Sequence, residues 1–271
     1  MPSFSREGIE FHYVDRGDGI ALVVQHGLGG DLAQPSVLFE PPDGFRLLSM
    51  DARGHGETRP LGSEDDLRIA TFTDDVVAWL DHLGVEKAIV GGISMGAAMA
   101  LNLALRYPER LLGLILSRPA WLDAPYPPRL RIFSLLTELI QEHGPEEGQR
   151  RFLDSEAYRE LKAESPESAQ TLADQFLHPR AVETAVKFDR IARDTPSVGR
   201  AGWDRISVPT LVLANHQDPI HPHEFAEVFA KTIPGAMFRE VTPKSESLIG
   251  HGQDVRAALH EYLDRFFPRA R

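Results

Sequence analysis

Short apolar runs alternate with helical patterns along this chain, and that alternation leaves few folds open to it. Five runs have the length of strands and are too uniformly apolar for a sheet with one solvent-exposed face. They suit a parallel sheet that is covered on both faces. The runs occupy 20–25, 45–51, 87–93, 111–117 and 209–215. Alternating strands and helices favour right-handed crossovers. The sequence therefore predicts an α/β fold with a doubly wound, mostly parallel central sheet.

Two segments carry amphipathic helical patterns. In the first, 71–85, Thr73 is placed to cap a helix, acidic residues follow it, and Gly84 is placed to end the helix. In the second, apolar residues between 255 and 266 recur at i, i+3 and i+4 spacing. We expect this final helix to pack its apolar stripe against the sheet.

The alternation stops between 123 and 205, where strand character is weak and several helical patterns are separated by prolines. It resumes at Val208 as if interrupted, which favours an insertion over an independent helical domain. We predict a core formed by 1–122 and 206–271 and a helical cap, or lid, formed by 123–205. The cap is expected over the carboxyl ends of the strands, where open α/β sheets bind ligands.

Charge and cysteine content exclude several classes of protein. The formal net charge of −11 argues against nucleic acid as a partner. The chain has no cysteine, which excludes disulfides, thiolate metal sites and a cysteine nucleophile. It shows no apolar run of membrane-spanning length and no secretory pattern at its amino terminus. We expect a cytoplasmic protein that acts on a small molecule without a membrane partner; its oligomeric state is left open.

A serine between glycines stands where a strand-like run meets a helix-like run. In "VGGISMGAAMA" (90–100), Ser94 lies two residues after Gly92 and two before Gly96. A nucleophilic serine has to project from a sharp strand-to-helix turn, and glycines remove side chains that would collide across it. The start of the helix would also favour a developing oxyanion. This setting predicts a nucleophile elbow.

Four segments, taken in order, resemble motifs of the α/β-hydrolase fold superfamily, specifically its lid-bearing esterase, lactonase and C–C hydrolase branch. They look like the oxyanion loop, the turn after the next strand, the nucleophile elbow and the strand end that bears the acid. These segments are "VVQHGLGGD" (23–31), "MDARGHGET" (50–58), "GGISMG" (91–96) and "VLANHQDPIHP" (212–222). The resemblance implies an α/β-hydrolase fold with a helical cap inserted after the sixth strand. Because this fold hosts many chemistries, the substrate stays open.

The resemblance also implies roles for individual residues. Ser94 would be the nucleophile, and the backbone N–H groups of Leu28 and Met95 would form the oxyanion hole. Asp218, just after the run 209–215, would be the acid that orients the base. Asp123 is the alternative acid.

The base should be a histidine that follows the acid in the chain. His251 lies between a last strand-like run and the final helix, which is where this family places its histidine. His260 falls inside the final helix, and His221 and His223 are expected to be too near Asp218 in the chain. His251 is therefore the predicted base.

The approach to His251 departs from the family pattern. Many members have Gly-His directly after the strand, whereas "KSESLIGH" delays the histidine here, and alignment on the final helix would place Ser245 near that slot. Either the loop takes another route or the triad is incomplete. We expect Leu248 and Ile249 to pack against the sheet and anchor the loop before the histidine.

The residue types favour acyl transfer to water. Ser94 would attack an ester or lactone carbonyl of a small to medium apolar substrate and form an acyl-enzyme. Dehalogenases and epoxide hydrolases of this fold need a carboxylate at the elbow, so they are excluded. Two alternatives are C–C bond hydrolysis of a dienol diketone and a non-catalytic receptor of the same fold. The chain has no zinc-type ligand spacing, so no metal and no organic cofactor is expected.

Four large apolar residues are candidates for a substrate pocket over the nucleophile. They are Trp121, Phe133, Leu136 and Phe176. The competing interpretation is that they form the core of the insertion itself. Arg118, just past a strand end, either meets a substrate carboxylate or pairs with an acidic residue of the cap.

Overall fold

An eight-stranded sheet forms the centre of the computed structural model, which describes residues 2–268. Its strands are β1 Ser3–Arg6, β2 Ile9–Arg16, β3 Ile20–Gln25, β4 Phe45–Met50, β5 Ala88–Ile93, β6 Leu111–Ser117, β7 Thr210–Ala214 and β8 Met237–Glu240. The order is β1-β2-β4-β3-β5-β6-β7-β8. β2 runs antiparallel to β1 and β4, and the remaining neighbours are parallel. The predicted fold class is confirmed; the outermost ends of the predicted core, 1 and 269–271, lie outside the described residues.

Within residues 2–268, ten α-helices connect or cover these strands. They are α1 Ala33–Leu38, α2 Ile69–His82, α3 Met95–Arg106, α4 Arg131–Leu153, α5 Glu156–Glu164, α6 Pro166–Asp174, α7 Ala181–Thr184, α8 Val186–Ala192, α9 His223–Thr232 and α10 Leu248–Phe266. Five of them, α4 to α8, lie between β6 and β7, within the range predicted to be a cap. α4 changes direction at Gly144, whose φ of 75° and ψ of 172° are non-helical, directly before Pro145.

The first two strands were not among the predicted runs. In β2, the side chains of Ile9, Phe11 and Tyr13 are buried, and the residues between them are more exposed. This alternation is typical of an antiparallel strand with one face toward solvent. A search for continuous apolar runs therefore finds the parallel strands and misses this edge.

Apolar side chains alternate between two cores, one on each face of the sheet. Along β3, Leu22 and Val24 join the core that includes Leu259 of α10, whereas Val23 joins the core that includes Trp79 of α2. The second core continues into the helical insertion, where it includes Phe133. Within 2–268, no helix has both the length and the apolar character needed to cross a membrane.

The start of α2 differs from the prediction. The helix begins at Ile69, and the hydroxyl of Thr73, inside the helix, donates to the Ile69 carbonyl at 2.9 Å. The free N–H of Ile69 donates to the Asp194 carboxylate at 2.6 Å. A residue of the insertion therefore caps this helix from far along the chain, which no local pattern reveals. Gly84 follows the end of α2 with a φ of 67°, as its predicted role requires.

Candidate active site

Ser94 lies at the junction of β5 and α3 in a strained backbone conformation. Its φ of 56° and ψ of −107° are rare for a residue with a side chain. The N–H of Ser94 donates to the carbonyl of Ser117 at 3.0 Å, which ties the turn to the end of β6. This is the sharp strand-to-helix turn that a nucleophile elbow requires.

The glycines beside Ser94 allow α3 to lie directly against β3. A Cβ built on Gly92 would stand 2.6 Å from the carbonyl oxygen of Gln25, and one built on Gly96 would collide with the same carbonyl. Both positions therefore exclude any side chain unless the backbone moves. The close approach holds Ser94 at the edge of the sheet.

Ser94 faces a small cavity of about 90 Å³ between the core and the insertion. The core forms one side of the cavity, and the loops after β7 and β8 form another side. Helices α4 and α6 cover it. The lining residues include Leu28, Gln34, Arg118, Phe133, Glu167, Ser168, Thr171, Leu172, Ile220, His221 and Lys244. Residues of the insertion therefore face Ser94 across this cavity, and the role of the insertion as a cap stays a prediction.

The predicted oxyanion donors flank the nucleophile. Leu28 lines the cavity, and a Cβ built on the preceding Gly27 would lie 3.6 Å from the Ser94 Cβ. The N–H of Gly27 donates to Gln34 Oε1 at 2.8 Å, which holds this loop in place. Met95 is the first residue of α3, and the first N–H groups of a helix have no partner within it. Their role as an oxyanion hole stays a prediction.

Asp218 and His221 form a hydrogen-bonded pair in the loop between β7 and α9. His221 Nδ1 lies 2.8 Å from Asp218 Oδ1 and 2.9 Å from Oδ2. Because an ionised carboxylate only accepts, Nδ1 carries the proton and the lone pair is on Nε2. That is the tautomer of a general base. The expectation that His221 is too near Asp218 in the chain is wrong, since a three-residue turn brings the ring back onto the carboxylate.

The surroundings favour a charged aspartate and a neutral histidine. Burial raises the pKa of Asp218, but contact with His221 and the charge of Arg118 outweigh it and hold the pKa well below its usual range. Burial lowers the pKa of His221, and the charge of Arg118 acts in the same direction against the opposing pull of Asp218. A neutral imidazole beside a carboxylate is ready to accept a proton near pH 7.

His251 occupies a different environment from the one expected. Its side chain is buried in the first turn of α10, and its Nδ1 donates to the Thr242 carbonyl at 2.9 Å. Within the described chain, the cavity lining does not include this residue. Burial, followed by the charge of Arg118, lowers the pKa of His251 to about 4. The partner of Asp218 is therefore His221, although the role of His251 as a base stays a prediction.

The extended α10 explains this placement. Ser247 caps the helix, accepting from the Gly250 N–H at 3.0 Å, so the helix begins at Leu248 and includes the residues expected to form a loop. Leu248 and Ile249 are 63% and 76% exposed, so the expectation that they anchor the segment on the sheet is wrong. The helix-capping preference of Ser247 was the sequence signal for this earlier start of α10, and the sequence analysis did not use it.

Two cations lie beside the acid. Arg118 donates to Asp218 Oδ2 at 3.1 Å, so it pairs with the predicted catalytic acid and not with an acid of the cap. Lys244, four residues after β8, lines the Ser94 cavity. The charge of Arg118, followed by burial, lowers the pKa of Lys244 to about 7. The sequence analysis did not identify Lys244, because nothing local indicates that it turns inward.

Of the four apolar residues proposed for the pocket, Phe133 alone lines it in the described structure. Trp121 and Leu136 are buried in the core, and Phe176 packs on Phe152 with ring centroids 5.4 Å apart. These three side chains are packed in the interior, Leu136 and Phe176 within the insertion and Trp121 just before it, and their role in substrate binding stays a prediction. The periodic pattern of a helix shows which residues are buried, but not which of them face a cavity.

His26, in the loop after β3, and Asp123, the alternative acid, both have structural partners. His26 accepts from the Ala52 N–H at 3.0 Å and donates to the Gly27 carbonyl at 2.8 Å. Asp123, the alternative acid, pairs with Arg200 at 2.7 Å and does not line the Ser94 cavity within the described residues.

Known proteins resemble this chain over most of its length. The family model described as the alpha/beta hydrolase fold matches residues 20–249. The AB hydrolase superfamily protein YisY of Bacillus subtilis is 29% identical, with 92% of this chain and 91% of that protein covered. The 3-oxoadipate enol-lactonase 2 of Acinetobacter baylyi is 27% identical, with 92% and 90% covered.

A solved structure extends the likeness to three dimensions. A thermophilic esterase from Thermogutta terrifontis, determined with malate bound, superposes with a TM-score of 0.72 at 25% identity and 97% coverage of both chains. The family match spans most of the chain, and the strand order and elbow described above accompany it. The chain belongs to the α/β-hydrolase fold family and is a hydrolase of that fold.

Proposed function

We propose that this chain is a serine hydrolase that cleaves an ester or lactone through an acyl-enzyme on Ser94. The observation that carries the proposal is the cavity itself. It brings the strained Ser94 together with His221, whose Nδ1 is held by the buried Asp218 carboxylate. Nucleophile, base and orienting acid are the parts of a catalytic triad.

The acylation step uses these groups in order. His221 Nε2 takes the proton of the Ser94 hydroxyl as its oxygen bonds to the substrate carbonyl carbon. The carbonyl π electrons move to oxygen, and the N–H groups of Leu28 and Met95 stabilise the oxyanion. The carbonyl then re-forms, the bond to the leaving oxygen breaks, and His221 returns the proton to that oxygen.

Deacylation repeats the sequence with water. His221 removes a proton from a water molecule, the hydroxide attacks the acyl carbon, and the proton finally returns to the Ser94 oxygen as the acid product leaves. Asp218 stays ionised and stabilises the imidazolium formed in each half.

The shape of the cavity supports a small to medium apolar acyl group. The cavity is small, and Phe133, Leu172 and Ile220 contribute apolar wall next to Ser94. A relative named as an enol-lactonase and a superposed esterase support ester or lactone bonds. A cytoplasmic location and independence from a cofactor stay predictions from the sequence.

Replacing the nucleophile tests the proposal. Ser94→Ala should lower ester or lactone turnover by about 10⁴-fold or more, because the group that forms the acyl-enzyme is lost. It should also abolish labelling by a fluorophosphonate probe. The measurement is turnover across esters of increasing chain length, lactones and dienol diketones, with intact folding checked by thermal unfolding.

A second serine of the same cavity supplies the control. Ser168 lines the cavity from α6, and Ser168→Ala should keep labelling and most of the turnover. Turnover of Ser94→Ala within tenfold of the parent would refute the nucleophile. Labelling of Ser94 without turnover of any substrate would favour the receptor, and exclusive turnover of dienol diketones would favour C–C hydrolysis.

A further inference from the structure

Two imidazoles and a carboxylate meet on the surface next to the loop that carries Asp218 and His221. His216 follows β7, His223 is the first residue of α9, and Glu240 is the last residue of β8. One ligand atom from each of these three residues lies within 4.8 Å of the other two. The two histidines are near each other in sequence, whereas Glu240 is 17 residues from His223, so the fold brings Glu240 to the histidines.

The distances within this trio suit a shared ion. Glu240 Oε1 lies 2.8 Å from His223 Nε2 and 3.3 Å from His216 Nε2. On a tetrahedral zinc ion with bond lengths of about 2.0–2.1 Å, two ligand atoms lie about 3.3 Å from each other. On an octahedral ion, neighbouring ligand atoms lie closer together. Both nitrogen–oxygen pairs therefore have roughly the separation of neighbouring ligands.

His223 is already held in the orientation of a ligand. It is largely buried, with its ring edge-on to Phe238 at 5.6 Å between centroids. Its second nitrogen, Nδ1, lies 3.6 Å from Glu227 Oε1. This separation is too long for a hydrogen bond, so Glu227 acts on the ring through its charge, which favours a proton on Nδ1 and leaves Nε2 to face Glu240.

His216 supplies the adjustable ligand. Its ring stacks on that of His223 with centroids 4.0 Å apart and planes 14° apart. Parallel rings do not aim at one point, so a shared ion requires His216 to tilt out of the stack. The side chain is 63% exposed, which leaves room for that rotation. Because the ring has to tilt, metal binding should shift the imidazole resonances of His216.

We propose that His216, His223 and Glu240 form a binding site for a divalent transition metal of the zinc type, with water completing the coordination. Imidazole ligands suit zinc, nickel and copper, whereas calcium and magnesium prefer oxygen. The absence of a zinc-type spacing in the sequence is no obstacle, because the ligands come from three separate elements. The site is independent of the proposed hydrolase activity.

The position of the site indicates what the metal would do. His216 and His223 bracket the segment that holds Asp218 and His221, and Glu240 joins that segment to β8. A bound ion would tie both ends of the segment to the sheet. Since only the folded chain brings the three ligands together, binding would stabilise the native state.

The full chain, first treated with a chelator, should be titrated with zinc chloride by calorimetry and with cobalt chloride by visible absorption. We expect one equivalent to bind, a rise in the unfolding temperature and cobalt d–d bands. Glu240→Gln and His216→Gln should each weaken binding by at least about tenfold, while keeping the fold and the metal-free hydrolase rate. In the parent, the imidazole resonances of His216 and His223 should shift together.

His143 provides a matched control, because its Nε2 lies 3.7 Å from Glu142 Oε2 as an isolated pair on α4. His143→Gln should leave zinc binding unchanged. The proposal is overturned if zinc binds only at millimolar concentration, if magnesium binds equally well, or if Glu240→Gln and His216→Gln bind like the parent. None of these outcomes depends on whether the chain hydrolyses an ester.

Discussion

At the scale of residues, the site depends on which histidine the acid reaches. The Asp218 side chain is 5% exposed, its surroundings hold its pKa well below the usual range, and His221 is the imidazole on its carboxylate. His251 lies near enough to feel the charges of Arg118 and Asp218, but its Nδ1 proton is given to the Thr242 carbonyl. Proximity to the acid and access to the nucleophile are thus separate properties of a candidate base.

Two histidine variants separate these roles. His221→Ala should lower turnover about as much as Ser94→Ala, because members of a triad act as a unit. His251→Ala should keep most of the turnover and instead lower the unfolding temperature, since it removes a buried ring and its bond to Thr242. Steady-state kinetics and thermal unfolding of both variants test this.

The pH dependence supplies an independent readout of the same assignment. His251→Ala should keep the acid limb of kcat/KM, and the residual activity of His221→Ala should lack it. The reverse pattern, with loss of rate and pH dependence in His251→Ala alone, would restore His251 as the base.

Lys244 should tune that base by its charge. Positive charge nearby disfavours the imidazolium, and Lys244 contributes to the lowered pKa of His221. Lys244→Met should therefore raise the pKa of His221, and the acid limb of kcat/KM should move to higher pH. Lys244→Arg keeps the charge and should leave the limb in place. A loss of activity in Lys244→Arg comparable to that of Ser94→Ala would show that Lys244 itself transfers protons.

At the scale of elements, the site depends on how closely α3 approaches the sheet and how early α10 begins. Glycines at the elbow let α3 start against β3, so Ser94 reaches the cavity. The Ser247 cap starts α10 one turn before His251, so that residue lies in a helix. Local backbone features at two element ends therefore decide which side chains can meet.

The elbow glycine Gly96 gives a prediction with an internal control. The Cβ of Gly96→Ala would collide with the backbone of Gln25, which cannot move without disturbing β3. We expect a loss of about 3 kcal/mol in the free energy of unfolding, and of activity, as Ser94 is displaced. Gly84→Ala is the control: Gly84 has a φ of 67°, but no atom lies within 4 Å of the Cβ that the substitution adds. It should cost about 1 kcal/mol. Urea unfolding in which Gly96→Ala is as stable as Gly84→Ala would contradict the packing argument.

At the scale of the whole molecule, polar contacts fasten the insertion to the core. Arg180 donates to the carbonyls of Gly56 and Thr58 at 2.8 and 2.9 Å. Lys187 donates to the Gly54 carbonyl at 2.9 Å from a buried position. These two side chains hold the turn after β4, and Asp194 caps α2. The insertion is thereby fixed over the cavity by contacts away from Ser94.

Lys187 should make stability depend on pH. Burial, followed by the charge of Arg180, lowers its pKa from 10.5 to about 7. Between these values the unfolded chain binds the proton more tightly than the folded chain. Stability therefore gains up to about 1.4 kcal/mol per pH unit as pH rises from 7. Lys187→Met should remove that contribution to the slope of the unfolding free energy between pH 7 and 9.

Urea unfolding at several pH values measures this slope. Lys231, which is 74% exposed beside Glu227, provides the control, and Lys231→Met should leave the slope unchanged. Equal slopes for the parent and Lys187→Met would show that Lys187 keeps an ordinary pKa in the folded chain.

Much of the architecture follows from local sequence alone. The parallel strands, the interruption between β6 and β7, and the elbow around Ser94 were each predicted from short patterns. Those patterns are sufficient because the period of a buried strand or helix and the freedom of glycine are properties of neighbouring residues. The antiparallel strands β1 and β2, at one side of the sheet, were missed because the search favoured continuous apolar runs.

Tertiary structure decided most of the partners of the candidate side chains. The contact of His221 with Asp218 is made by a local turn that the sequence analysis discounted. The pairing of Arg118 with Asp218 and the packing of Phe176 on Phe152 depend instead on distances across the fold, which no local pattern reveals. The sequence by itself determined where strands, helices and the candidate nucleophile would form, because those are set by adjacent residues. The folded chain determined what the nucleophile would face, because hydrogen bonds act only between atoms that packing has brought within about 3 Å of each other.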